Sequence, residues 1–158
     1  MRPRPAPVSN SETGGGIKAP DCYTVSMALE EHAESEAYTV GWDPELDAAV
    51  IEWHTTPDGE SFRDGQEALL SLVEERDARK ILADCRAFDS FPDETEWLRE
   101  DWSPRFLATN VEYGAYIYPE DRVAQFELDR MGRIDSDIPL EQLFAEDLPE
   151  ARAWLRAR

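Results

Sequence analysis

The sequence predicts an α/β fold. A mixed five-stranded sheet opens with an antiparallel hairpin and continues in mostly parallel strands, with about four helices, in the order β-β-α-β-α-β-α-β-α. Three observations carry this expectation. AYTVGW (37–42) and LDAAVIEW (46–53) alternate around Asp43-Pro44-Glu45, a turn with proline suited to its second position. KILADC (80–85) and YGAYIY (113–118) are short, nearly continuous apolar runs, the pattern of strands covered on both faces. Around them, apolar residues recur at helical spacing.

Residues 1–20 are rich in proline, glycine and serine and read as disordered. Residues 21–35 are ambiguous: Tyr23, Val25, Met27 and Leu29 alternate, a Glu-rich stretch follows, and either a short appended strand or a loose helix fits. The chain therefore divides into a disordered or loosely ordered leader, 1–35, and one domain, 36–158. After the hairpin, Ser61 with Asp64 reads as a helix start, and Phe62, Leu69, Leu72 and Val73 form the inward stripe. Asp93 with Glu96 opens a helix carrying Trp97, Leu98, Trp102, Phe106 and Leu107, which Pro104 kinks or interrupts. Pro119 starts the next helix, with Val123, Phe126, Leu128 and Met131 inward. DIPLEQLF (137–144) is the last strand, and Asp147-Leu148-Pro149-Glu150 opens a closing helix with Leu148, Ala151, Trp154 and Leu155 on one face.

The chain carries 35 acidic against 16 basic residues, a net charge of -19. So large a charge opposes compaction in dilute buffer and is tolerated where salt screens it, which points to a halophilic cytosol. Its bland reading is a solvated surface adapted to salt, and its alternative is an acidic docking face for a basic partner. Nucleic acid and anionic membrane surfaces are disfavoured partners, since both require a basic stripe. No apolar run approaches the roughly 18 residues that span a bilayer, and the N-terminus lacks the apolar core of a signal peptide. A cytoplasmic location is therefore expected. Cys22 lies in a polar leader and Cys85 in an apolar strand, so no structural disulfide is expected.

The order of elements, with ILADCRAF, ETEWLREDW, EYGAYIY and EARAWL, resembles the SpoIIAA-like group of STAS/SEC14-like domains over roughly residues 36–158. The resemblance implies a STAS-like fold serving as a non-enzymatic interaction or signalling module. In anti-anti-sigma members, a serine at the start of the helix after a central strand is phosphorylated within Asp-Ser-Ser-Gly-Leu-Gly. Here the matching stretch is DCRAFDSFPDETEW, where Ser90 is the one serine and the glycines are missing. The SEC14 side of the resemblance implies a lipid-like ligand between sheet and helices.

Several residues are candidate ligand or partner contacts. Asp84 and Cys85 lie at the carboxyl end of a central strand, where open α/β sheets form ligand crevices; a capping Asp and an inert buried Cys are the structural alternatives. Trp97, Trp102 and Phe106 form either core or an outward binding face, and Tyr116 and Tyr118 line the same groove in the second case. Arg86 and Arg105 either hold an acidic ligand group or make surface ion pairs. A catalytic pair of His54 and Cys85 requires hydrogen-bond closeness that nothing in the sequence supports. No metal or cofactor motif is present: a zinc site needs three or four close donors, and GGG at 14–16 is not a phosphate-binding loop. The expected partner is another protein, bound beside Ser90 and the tryptophan helix, or a small apolar ligand held between the sheet and residues 93–109 and 121–132. A homodimer through a strand edge or the tryptophan helix is a further expectation.

Overall fold

The structure, a computed structural model, describes residues 29–132 and 140–158. The leader up to residue 28 and the expected strand residues 137–139 lie outside these. Six strands lie side by side in chain order: β1 Glu30–Glu34, β2 Tyr38–Asp43, β3 Ala48–Trp53, β4 Lys80–Asp84, β5 Tyr113–Ile117 and β6 Glu141–Ala145. The first three pair antiparallel, and β3 to β6 pair parallel. The expected sheet is thus present with one strand more than five. The addition, β1, is formed by EEHAE. Of the two readings open for residues 21–35, an appended strand or a loose helix, the strand is the one formed, at Glu30–Glu34; an edge strand needs only main-chain bonds to one neighbour, so its glutamates are no obstacle. Gly41 permits its approach, since a Cβ there would lie 2.9 Å from the Glu30 carbonyl oxygen.

The β2–β3 hairpin is tied by Asp43, whose Oδ1 accepts from the Glu45 and Leu46 N–H groups at 3.0 and 3.3 Å. Asp47 takes the left-handed conformation (φ 56°) that returns the chain into β3. Helix α1, Gly59–Arg76, starts at Asp58, not at Ser61: the Asp58 carboxylate accepts from the Ser61 N–H at 2.8 Å. Ser61 serves through its backbone, so the acid three residues earlier is the cap.

The tryptophan helix, α2, comprises Thr95–Trp97, a π-helical turn at Leu98–Trp102, and Ser103–Leu107. No side chain caps its start, contrary to the expected role of Asp93. Pro104 has no N–H to continue the ladder, and the wide turn ending with the Ser103 N–H on the Leu98 carbonyl absorbs the mismatch. Helix α3, Arg122–Gly132, begins later than Pro119. Asp121 accepts from the Ala124 N–H at 3.0 Å and caps the helix start. Ala124 and Leu128, four residues apart, form the inward stripe, which leaves Val123 and Phe126 on the outer side, each 64% exposed, reversing the expectation for both. The side chain of Met131 lies outside the description. Helix α4, Leu148–Arg156, is capped by Asp147, which accepts from the Glu150 N–H at 2.9 Å.

Parallel strands taken in chain order, joined by right-handed crossovers, return every connecting helix to the same face. The packing agrees. Val40, Ile51 and Ile81 on one face pack with Phe62, Leu69, Leu72 and Val73 of α1, Trp102 and Phe106 of α2, and Ala124 of α3. Val50, Leu82, Ala115 and Ile117 on the other face pack with Leu148, Ala151 and Leu155 of α4. Each large side chain so buried contributes about 1.5–3 kcal/mol.

Gly65 brings α1 down on the sheet: a Cβ there would sit 2.4 Å from Trp53 Cη2. Trp53 cannot yield, being stacked on Phe62 and edge-on to Tyr38 and Phe88. Gly65→Ala gains up to ~1 kcal/mol of helix propensity but loses about 1–3 kcal/mol to overpacking. Net destabilisation is expected, read as a lower denaturation midpoint at unchanged slope; a raised midpoint would show that the Trp53 site is slack.

Candidate functional site

Alternation along β4 separates two neighbours that the sequence alone places together. Ile81, Ala83 and Cys85 turn toward the crossover helices, and Lys80, Leu82 and Asp84 turn toward α4. Asp84 and Cys85 therefore belong to different environments on opposite faces of the sheet.

On the helix-covered face lies an apolar cavity of about 100 Å³. Its floor is Trp53 of β3, Ile81 and Ala83 of β4, Cys85 just beyond that strand, and Tyr116 of β5; its roof is Phe62, Gln66 and Leu69 of α1, Leu98, Trp102, Ser103 and Phe106 of α2, and Leu128 of α3. Phe91, from the loop after β4, closes one side. Small residues make the room: Ala83 and Cys85 occupy inward positions that larger residues would fill. The wide turn of α2 places Trp102 so that its Nε1–H donates to the Gln66 carbonyl at 2.8 Å, tying α2 to α1. Phe91 is held by its backbone N–H, which donates to Glu127 Oε1 of α3 at 2.9 Å, and by its ring, 4.5 Å from that of Phe88.

Two titratable groups, Cys85 and Tyr116, are among the residues that line this space. Burial, with the negative charge of Asp84 adding to it, pushes the Cys85 thiol well above its ordinary range, so it stays protonated. Burial likewise pushes the Tyr116 phenol up to about 12. Tyr116 leans back along β5 over Gly114, where a Cβ would lie 2.8 Å from its hydroxyl oxygen, and accepts from Gln142 Nε2 at 3.2 Å.

The opposite face carries a polar end. Asp84 is buried and chelated by its own turn: Arg86 Nε donates to Oδ1 at 3.0 Å and Nη2 to Oδ2 at 2.7 Å. Glu52, also buried, lies opposite Asp84 in register. His54 Nε2 is 2.7 Å from the hydroxyl of Thr39, a fully buried residue. His54 is thus turned to the face that Cys85 avoids, and no dyad forms.

The expected site residues scatter accordingly. Trp102 lines the cavity. Trp97 is half-buried outside it, with the Arg63 guanidinium 5.1 Å over its ring. Arg105 is exposed and paired with Glu67 and Asp101. Arg86 serves Asp84, so neither arginine stands among the cavity-lining residues. Ser90 is exposed in the loop next to Phe91. Tyr118 donates its hydroxyl to Asp129 Oδ1 at 2.7 Å, away from the cavity. The residues missed as site candidates, Trp53, Ala83 and Phe91, were legible only as core or loop; the one usable signal was the small residue at an inward strand position. Among the described residues, no cluster of His, Cys, Asp and Glu is arranged to hold a metal ion, and no helix is long and apolar enough to cross a membrane.

The Tyr116 shift has a definite sign. An unfolded phenol ionises near 10.0 and this one near 12, so its stabilisation is complete below pH 10 and is lost as pH rises from 10 to 12. In an absorbance titration of the tyrosines, Tyr116→Phe is expected to remove one phenol that ionises near pH 12. Superimposable curves for the two proteins would contradict the burial of Tyr116.

No family model matches the chain, and no solved structure matches it. Among curated proteins, the leucine–tRNA ligase of Prochlorococcus marinus (strain MIT 9215) is 20% identical over 112 residues, which is 67% of this chain and 12% of the ligase. The chain thus spans about an eighth of that protein's length, and the similarity shows no family.

Proposed function

We propose that the protein is a non-enzymatic binding module that takes a small apolar ligand between its sheet and its crossover helices. The observation that carries this reading is the cavity of about 100 Å³ between β3–β5 and helices α1 to α3. Close-packed interiors leave few voids larger than a water molecule. An apolar space with a few polar groups on its border is the usual form of a small-molecule site. A binding role, as opposed to catalysis, is supported by the separation of His54 from Cys85 and by the protonated state of the thiol. The STAS-like placement belongs to the same reading and is supported by the element order of residues 36–158.

A second reading, an interaction module that docks a protein partner or a second copy, is favoured by one observation. Val123 and Phe126 are each 64% exposed on the outer side of α3.

Ala83→Leu tests the first reading, because the new side chain grows into the cavity from β4. With toluene as probe and backbone amide shifts as readout, the wild type is expected to show saturable shifts around residues 81–85 and 98–106. The variant is expected to lose at least ten-fold in affinity and to melt within a few degrees of wild type. Equal toluene binding by both proteins would place the probe elsewhere and sink the proposal.

A further inference from the structure

The cavity wall is richer in rings than in aliphatic groups of comparable reach. Trp53 and Phe62 stack with centroids 5.6 Å apart and planes 15° apart, and Trp102 and Phe106 stack at 4.8 Å and 12°. Both pairs border the space, joined by Tyr116 and Phe91. No charged side chain stands among the lining residues. The candidate cations are committed elsewhere, Arg86 to Asp84 and Arg105 to Glu67 and Asp101. An ion entering here would lose its hydration without gaining a partner. Size narrows the choice further. Benzene occupies an engineered apolar cavity of roughly 150 Å³. At about 100 Å³, a single ring the size of benzene or toluene is the upper limit here, and a long acyl chain does not fit.

We propose that the cavity selects a single neutral aromatic ring over a saturated hydrocarbon of the same size and over organic ions. This rests on the reading of the cavity as a ligand site. Rings meeting rings edge-on or offset gain beyond the area they bury, and the gain corresponds to roughly 2- to 10-fold in affinity. A saturated ring fills the same volume without it. The opposing possibility is a cation held by the ring faces, as aromatic cages hold quaternary ammonium groups; the net charge of -19 would attract such a ligand to the surface. The cavity border, however, carries no carboxylate to accompany the cation inside.

The test titrates the full chain separately with benzene, cyclohexane, benzoate and tetramethylammonium, following backbone amide shifts at residues 81–85 and 98–106. Benzene is expected to bind roughly 2- to 10-fold tighter than cyclohexane, and the two ions are expected to leave these amides unmoved. Phe106→Leu should bring the benzene-to-cyclohexane ratio near one while cyclohexane binds as before; Phe62→Leu serves if the first variant does not fold. Equal affinities of wild type for benzene and cyclohexane would overturn the aromatic preference and leave the ligand site standing. Tightest binding of tetramethylammonium would replace it with a cation cage. If none of the four probes binds, the ligand site itself fails.

Discussion

The structure depends on one constraint, the alternation of side chains along parallel strands laid down in chain order. Because β3 to β6 never reverse their order, the sheet has no point at which crossover helices diverge to opposite faces. A crevice of the kind that forms at such reversals is therefore not available beyond the strand ends. All three crossover helices crowd one face, and the closing helix α4 covers the other. The space between the sheet and the crossover helices is thus confined to one face, and the cavity lies there.

The same alternation decides the chemistry. Moving one residue along β4, from Asp84 to Cys85, crosses the sheet. Asp84 enters a polar corner where Arg86 neutralises it, and Cys85 enters an apolar layer where its thiol keeps its proton. The arginines that a ligand carboxylate would need are held by carboxylates of the chain itself. In a chain with 35 acidic and 16 basic residues, cations are the scarce partner. The arginine pairs leave the cavity under the crossover helices to aromatic rings and small residues, with little to hold a charge.

Much of the architecture was legible in the sequence. The hairpin around Asp43-Pro44-Glu45, the buried runs at 80–85 and 113–118, the stripe of α1 and the cap at Asp147 all follow from local periodicity and turn chemistry. What was not legible depends on long-range fit. Strand β1, EEHAE, could be read locally as an appended strand or a loose helix, and pairing with β2 decides for the strand. The rotation of α3 rests on Ala124 and Leu128 packing inward, so Val123 and Phe126 could not be assigned outward from spacing alone. The candidate site was legible in its parts and not as a whole. Trp102 and Tyr116 could be named, but Trp53 and Phe91 join them only because the sheet order and the loop bring three distant segments over Ala83. The wide turn before Pro104 was visible as a disruption, and its effect, the placement of Trp102 against Gln66, was not.

Ligand binding in this layer requires a real, accessible void between the sheet and α2. A crystal of the protein pressurised with xenon tests it most directly, because xenon enters apolar cavities whatever their natural occupant. A single strong xenon site in contact with Trp102, Ala83 and Tyr116 is expected. A crystal in which xenon binds elsewhere, with side chains closing the space over Ala83, would contradict it.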